Sequence, residues 1–302
     1  MLSLIVAKQV AIMFLLIGVG FVLTKFDKLN DTGAKFFTNI LLMAVTPAVL
    51  INAYQRPFEV RLAKELVMGA VLTLIIHIVA ILLCMVVFRR EDTLRYRVAR
   101  FGAVYSNCGF MAIPLLSATL GSEGVFYGSS YLATFTIIYW TLGVYTLTEN
   151  KKDLSLKSIF INPGIIGSVI AISLFVFGVK LPPLVSDCVD DLAAMNTPLS
   201  MIVLGTYLAK IRLSETFKNK LLYMAVGMRL FIIPVITWLI MMVYPINDIA
   251  GKAILIAAGC PAAAVTSLFA SNYGLDATFG SEIVSVSTLL SIVSIPLIVL
   301  LV

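Results

Sequence analysis

The segment VYSNCGFMAIPLLSATLG (residues 104–121) is apolar enough to lie in a bilayer, but Asn107, Gly109 and Pro114 interrupt its middle. A proline inside a helix removes one backbone hydrogen bond and clashes with the preceding turn. In lipid, each backbone group freed in this way costs several kcal/mol unless another group satisfies it, so such breaks persist where they line a polar cavity. This segment therefore predicts a broken membrane helix.

A second interrupted segment, ILIAAGCPAAAVTSLFASNYG (residues 254–274), carries Gly259, Pro261 and Thr266. A single proline kink is common in membrane helices and requires no functional explanation. Two breaks at corresponding places in the two halves of a chain instead indicate a substrate site near the middle of the membrane. We therefore expect the two broken helices to form a binding site together.

The whole chain has the composition of a membrane protein. Of its 302 residues, 60% are apolar and 13% are charged, and its mean hydropathy is +1.03. Soluble domains are about 45–50% apolar and about 25% charged, so a water-soluble globule and a disordered chain are both excluded. Spans of roughly 20 residues fill the chain with ten predicted membrane helices: 3–24, 32–53, 64–88, 100–120, 124–148, 159–179, 190–209, 220–243, 250–271 and 277–301.

Lysine and arginine are distributed unevenly over the predicted loops. With the N-terminus outside, the inner connections hold fifteen of these residues and the outer connections five. Positive charge accumulates on the cytoplasmic side of membrane proteins. This predicts a multi-pass protein of the plasma (bacterial inner) membrane with both termini extracytoplasmic, and it explains the net charge of +6 without nucleic acid as a partner.

The two halves of the chain share residues at a constant spacing. A Thr-Pro pair of span 2 recurs 151 residues later in span 7: Thr46-Pro47 and Thr197-Pro198. Three residues of span 5 recur 152 residues later in span 10: Gly128, Ser129 and Thr136 match Gly280, Ser281 and Thr288. The spacing predicts two five-helix repeats, and because five is odd the second repeat is inverted relative to the first: 1–150 and 151–302.

Four segments carry a resemblance to a known family: SNCGFMAIPL (106–115), PLSMIVLGTYLA (198–209), CPAAAVTSLFASNYG (260–274) and STLLSIVSIPL (287–297). They resemble the fourth, seventh, ninth and last spans of the auxin efflux carrier family. The resemblance covers the whole chain and implies a ten-helix fold, shared with bile-acid symporters, in which the two broken helices cross. It also implies a scaffold of spans 1, 2, 6 and 7 and a moving core of spans 3–5 and 8–10.

The resemblance further implies a substrate class. Bacterial members of the family are associated with small organic anions such as malate or malonate, whereas plant members export auxin. The chain differs from the family in two features. Thr266 stands where some relatives have a second proline near the ninth-span break, and the connection 149–158 is much shorter than the cytoplasmic loop of many plant carriers. The short connection favours the compact microbial form.

Asn107 is the first candidate for substrate contact, because its amide can donate to a carboxylate at any pH. The other residues of the two breaks complete the predicted site: Gly109, Pro114, Gly259, Pro261 and Thr266. Arg229 lies about nine residues into span 8, where burial of a charge is expensive. Two interpretations of Arg229 stay open: a clamp for a carboxylate substrate and a structural ion pair with Glu282 of span 10.

Glu282 and His77 are candidates for coupling to protons. A proton on Glu282 could compete with an ion pair to Arg229, and a histidine side chain titrates near physiological pH. A lone histidine inside a membrane is, however, more often a hydrogen-bond partner between helices. The two Thr-Pro pairs are Thr46-Pro47 and Thr197-Pro198. Their hydroxyls can support the helix breaks by bonding freed backbone groups, or they can line the cavity. The backbone role is favoured.

These features predict a secondary transporter that moves a small organic anion by alternating access. Proton-coupled transport or uniport is favoured over sodium-coupled transport. A sodium-coupled symporter of the same fold, and a channel or non-transporting membrane sensor, are the alternatives. The sequence contains no nucleotide-binding or hydrolase motif, so neither enzyme activity nor a cofactor is expected. One histidine and four scattered cysteines predict no metal site. Apart from the lipid bilayer and the substrate, the expected partner is a second copy of the chain, bound through the scaffold helices.

Overall fold

The computed structural model describes residues 2–89, 94–150, 157, 160–210 and 219–301. Within these residues the chain is helical and contains no β-strand, because lipid offers no hydrogen bonds and the backbone must satisfy itself. The helices are α1 (Leu2–Lys25), α2 (Asp31–Ile40), α3 (Thr46–Ala53), α4 (Val60–Val87), α5 (Leu94–Val104), α6 (Ile113–Ile138), α7 (Val144–Thr148), α8 (Pro163–Val176), α9 (Pro183–Ala194), α10 (Asn196–Leu208), α11 (Lys220–Gly227), α12 (Ile233–Val243), α13 (Asp248–Gly259), α14 (Val265–Asn272) and α15 (Ala277–Val299).

Six helical stretches of the described chain are long and apolar enough to cross a membrane: Leu4–Lys25, Asp31–Ala53, Val60–Val87, Cys108–Thr148, Lys220–Val243 and Ala277–Val299. The prediction of an all-helical membrane protein is therefore confirmed. Helix α8 is apolar but shorter, and the predicted spans 7 and 9 are each divided into two shorter helices. The number of ten spans and their inverted arrangement remain predictions.

One boundary differs from the prediction by several residues. Helix α5 begins at Leu94, within the stretch whose charges predict a polar loop before residue 100. Its arginines are accommodated at this end by a carboxylate, since the Arg97 guanidinium lies 2.9 Å from Glu149 and that of Arg100 lies 3.8 Å from the same side chain. The ion pairs allow the helix to start earlier than hydropathy alone indicates.

The long stretch Cys108–Thr148 turns sharply at Gly121, which lies between the predicted spans 4 and 5. Gly121 has φ 65° and ψ −159°, a backbone region that is essentially restricted to glycine. The glycine therefore separates two helical segments within this stretch.

Replacement of Gly121 by alanine is expected to destabilise the protein by about 1–3 kcal/mol, the usual cost of a side chain held in this backbone region. The measurement is the melting temperature of the detergent-solubilised protein. Gly227→Ala is the control, because Gly227 is helical and no atom lies within 4 Å of an added Cβ. Equal melting temperatures for the two variants would contradict the prediction.

Three prolines lie just after a turn of π-helix. These turns end two residues before the proline: Leu41–Val45 before Pro47, Cys108–Ala112 before Pro114, and Met228–Ile232 before Pro234. A proline lacks an N–H and clashes with the carbonyl four residues back, and a wider turn relieves both problems while the helix continues. The sequence-based placement of a helix break at Pro114 is therefore wrong, because Pro114 lies inside a continuing helix.

Glycine residues allow a close approach in two of the helix pairs that contact each other, α1 with α10 and α3 with α8. An added Cβ on Gly20 would overlap the carbonyl oxygen of Ile202, and one on Gly205 would lie 2.8 Å from the Cα of Gly20. In the second pair, an added Cβ on Gly167 would lie 2.8 Å from the Cα of Pro47. Both contacts bring backbone against backbone, as small residues allow in membrane helices.

Outside the apolar stretches, an ion pair joins the start of α5 to the start of α15. The Arg95 guanidinium donates to the Asp276 carboxylate at 2.7 Å, and Asp276 also accepts from the N–H of Phe279 at 2.9 Å. Partial burial would raise the pKa of Asp276, but these hydrogen bonds outweigh it and the pKa lies below its ordinary value. Asp276 therefore stays ionised at neutral pH and holds the two helices together.

Candidate functional site

The interruptions of the two broken helices lie directly against each other. The first consists of residues 105–107, between α5 and the π turn Cys108–Ala112, and the second of residues 260–264, between α13 and α14. An isolated antiparallel bridge pairs Ser106 with Ala262. The two segments that the sequence singles out are therefore neighbours in space.

The paired interruptions satisfy each other's backbone groups. The N–H of Asn107 donates to the carbonyl of Pro261 at 2.7 Å, and the N–H of Ala263 donates to the carbonyl of Tyr105 at 2.9 Å. The N–H of Ala262 donates to the hydroxyl of Ser287 in α15 at 3.0 Å. Non-helical backbone at this depth is thus stabilised by protein partners, as an apolar environment requires.

A cavity of about 130 Å³ lies beside the interruptions, and we name it the Asn107 cavity. Part of its wall is formed by residues of the interruptions and by residues just after them, including Asn107, Gly109 and Val265. Four further polar residues of the wall come from α2, α3, the residue before α8, and α10: Thr38, Thr46, Asn162 and Tyr207. The cavity therefore lies between the broken helices and the helices that make the close glycine contacts.

Two helix N-termini begin at the Asn107 cavity. The π turn Cys108–Ala112, which continues into α6, and helix α14 both start among its lining residues, and neither has a side-chain cap. The first N–H groups of a helix have no intrahelical partner, and each N-terminus acts as roughly +0.5 of an elementary charge. The cavity is therefore suited to a negatively charged group.

Two buried polar side chains of the cavity lack hydrogen-bond partners within the described chain. They are Nδ2 of Asn107, a residue that is 5% exposed, and Oγ1 of Thr46, a residue that is 4% exposed. Buried polar groups are almost always paired in proteins. The Thr46 hydroxyl therefore does not have the backbone role that the sequence favours, and both groups keep unused hydrogen-bonding capacity beside the cavity.

Arg229 lies behind the interruptions and does not line the Asn107 cavity. Its side chain is completely buried and extends from the π turn Met228–Ile232. The guanidinium donates to the carbonyl of Val104 at 2.5 Å, to that of Ala103 at 3.4 Å and to that of Ala258. Among the described residues, Arg229 is thus paired with peptide carbonyls and not with Glu282, the partner that one interpretation of the sequence gave it.

His77 and Glu282 lie away from the cavity lining. The Nδ1 of His77 donates to the carbonyl of Thr73 at 2.8 Å, while its ring packs at 5.3 Å from that of Tyr131. Its Nε2 has no hydrogen-bond partner within the described chain. Glu282 is half-buried, five residues after the start of α15. The structure does not bring either group together with Asn107.

A second cavity, of about 210 Å³, contains Pro114 and Thr197, and we name it the Pro114 cavity. Asn52 and Asp190, which also line it, are joined by a hydrogen bond from the amide of Asn52 to the carboxylate of Asp190. Thr46 lines the first cavity, whereas Val49 and Asn52 line the second. The two cavities therefore lie at successive depths along the same helical stretch, Asp31–Ala53.

The remaining candidates line neither of these two cavities. Gly259 ends α13, where an added Cβ would lie 3.1 Å from Cδ1 of Ile298. Thr266 is completely buried in α14, and its hydroxyl has no partner in the part of the chain that the structure describes. Pro198 is exposed on α10. Of the predicted binding residues, Asn107 and Gly109 are the ones that reach the Asn107 cavity.

Sequence reasoning missed several polar residues of the Asn107 cavity: Thr38, Ser106, Tyr139, Asn162 and Tyr207. The Asn162 side chain accepts from the N–H of Gly164 at 2.9 Å and donates to the Tyr139 hydroxyl at 3.4 Å. The sequence did contain a signal for Asn162, because an asparagine directly before a proline is a typical start of a helix. Within the described residues no cluster of three or more histidine, cysteine or acidic side chains could hold a metal.

Comparison with known proteins places this arrangement in a family. A family model described as a membrane transport protein matches the chain twice, over residues 5–157 and 149–299. The chain belongs to this membrane transport protein family. It is also 22% identical over 298 residues to an uncharacterized transporter of Methanothermobacter thermautotrophicus, with 93% of each chain covered. These matches confirm the resemblance to the auxin efflux carrier family and identify a multi-pass membrane transporter.

Proposed function

We propose that this transporter carries a small organic anion, whose carboxylate binds in the Asn107 cavity. The observation that carries the proposal is the convergence of two uncapped helix N-termini on a cavity that also contains the unpartnered amide of Asn107. Two N-termini of roughly +0.5 each together balance a single carboxylate. Because neither the helix dipoles nor the amide titrates, binding of the ionised substrate would not require protonation of the site.

The rest of the cavity wall suits a short hydrocarbon body. Apolar side chains border the polar end on several sides: Leu42, Phe110, Leu132, Phe135 and Leu268. Binding sites commonly combine such apolar walls with a few polar groups that fix orientation. The proposed substrate class therefore consists of small mono- or dicarboxylates, such as malate or malonate, or an auxin-like acid.

Alternating access between the two cavities is the proposed mechanism. The Asn107 and Pro114 cavities occur at successive depths of the stretch Asp31–Ala53, which supports two routes of approach to one site. Inverted repeats at 1–150 and 151–302, with ten spans and crossing broken helices, would provide two such states by symmetry. The two family matches and the pairing of Ser106 with Ala262 support this arrangement.

The charge distribution of the loops supports a plasma (bacterial inner) membrane location with both termini extracytoplasmic. In the proposed arrangement, spans 1, 2, 6 and 7 form the scaffold, and the glycine contacts of α1 with α10 and of α3 with α8 would make it rigid. A homodimer would form through these same helices, with lipid around the remaining surface.

Uptake of labelled mono- and dicarboxylates into proteoliposomes tests the proposed function. We expect saturable uptake of at least one small carboxylate, with competition by unlabelled anions of the same length. Imposed pH and sodium gradients in the same assay distinguish proton coupling, sodium coupling and uniport. Flux that does not saturate would indicate a channel, and an absence of uptake for the whole panel would contradict the proposed substrate class.

A further inference from the structure

Arg229 contacts the C-terminal ends of both broken helices at the same time. Ala103 and Val104 are the last two residues of α5, and Ala258 is the second-last residue of α13. The carbonyls of all three accept hydrogen bonds from the one guanidinium. A single side chain thus holds together the halves of the two broken helices that end at the interruptions.

The positive charge of the Arg229 guanidinium matches the negative charge of the two helix C-termini. The last carbonyls of a helix have no intrahelical partner, and each helix C-terminus acts as roughly −0.5 of an elementary charge. Two C-termini therefore present about −1, which one guanidinium neutralises. The ionisable side chains that interact electrostatically with Arg229 within the described chain are a phenol, an imidazole and three thiols, and none is a carboxylate: Tyr131, His77, Cys84, Cys108 and Cys260.

In transporters with broken helices, half-helix C-termini and unwound carbonyls are the groups that coordinate a transported or coupling Na⁺. In this protein, helix C-terminal carbonyls of the same type already accept hydrogen bonds from a cation that belongs to the chain, the Arg229 guanidinium. We propose that Arg229 is a built-in counter-cation that takes the place of a coupling sodium ion. The consequence of this proposal is that anion transport by the chain proceeds without sodium, and this consequence rests on the proposed function.

The proposal predicts that the protein has no specific sodium site while Arg229 is present and gains a cation site when it is removed. Purified wild-type protein in detergent is heated in NaCl, KCl or choline chloride, and the expected melting temperature is the same in all three. Arg229→Ala leaves three buried carbonyls without a donor, and we expect its melting temperature to fall by about 10 °C. Millimolar guanidinium should restore part of this loss, because a ligand that binds only the folded state stabilises it.

Arg61→Ala is the matched control, because the Arg61 side chain is 62% exposed and its removal deletes the same charge without uncovering buried carbonyls. This variant should melt like the wild type and should not respond to guanidinium. Binding of radioactive ²²Na⁺ gives a second readout, with no binding expected for the wild type and measurable binding for Arg229→Ala.

Three results would overturn the proposal: a wild-type melting temperature raised specifically by sodium, ²²Na⁺ binding to the wild type, or an Arg229→Ala protein that melts like the wild type. If Arg229→Ala does not fold, Arg229→Lys replaces it, and this variant should fold with a lower melting temperature that is still insensitive to sodium. The melting and binding measurements need no transported substrate. A failure of the carboxylate uptake assay would therefore leave this test intact.

Discussion

Uptake of a small carboxylate by the Asn107→Ala variant is expected to fall by about tenfold to a hundredfold. A hydrogen bond to a charged group contributes about 1.5–3 kcal/mol, and each 1.4 kcal/mol corresponds to about a tenfold change in affinity. Asn107 lines the cavity and its amide has no partner in the described structure, so its removal should affect binding rather than folding. Initial uptake rates in proteoliposomes over a range of substrate concentrations provide the measurement.

Two further variants sharpen this experiment. Asn107→Asp preserves the size of the side chain but places a negative charge at the two helix N-termini, so it should abolish anion uptake. Asn272→Ala removes the same amide from an exposed position at the far end of α14 and should transport normally. Normal uptake by Asn107→Ala would show that the substrate does not bind in the Asn107 cavity.

Gly20→Ala is expected to destabilise the contact between α1 and α10. The added Cβ would overlap the carbonyl oxygen of Ile202, and a helix backbone cannot move aside as a flexible side chain can. Overpacking of a buried contact typically costs about 1–3 kcal/mol, and α1 would have to separate from α10 to accommodate the methyl group. The free energy of unfolding, or the melting temperature in detergent, reports this loss.

Gly18→Ala is a control on the same helix, two residues away. An added Cβ at Gly18 meets no atom within 4 Å, and alanine is favoured over glycine inside a helix by roughly 0.5–1 kcal/mol. Gly18→Ala should therefore leave stability unchanged or raise it. If the two variants unfold alike, α1 and α10 are not in close contact at Gly20.

The interruptions of the broken helices could be located from sequence because an asparagine or a proline stands out inside an apolar run. Asn107 and Pro261 stand out in this way, and the structure places them in direct backbone contact. Pro114 stands out equally, yet the helix continues through it. Sequence alone does not indicate whether a proline ends a helix or is absorbed by a wider turn, because that choice depends on neighbouring helices.

The partners of Arg229 illustrate a second limit. Its depth in the membrane follows from counting along span 8, but its acceptors are main-chain carbonyls of Ala103, Val104 and Ala258. Because every residue has a main-chain carbonyl, the sequence does not indicate which residues supply these acceptors. Glu282 was the visible carboxylate at similar depth, and for this reason sequence reasoning gave it as an alternative partner.

The same contact has a consequence for genetic experiments on this transporter. Because the acceptors are main-chain atoms, conservative replacement of Ala103, Val104 or Ala258 preserves the contact, whereas loss of Arg229 has no single compensating substitution among its partners. In a deep mutational scan, Arg229 should therefore tolerate no replacement, whereas the buried positions Ala103, Val104 and Ala258 should tolerate small apolar residues. In a search for second-site suppressors, none should arise at those three positions by a change of side-chain charge.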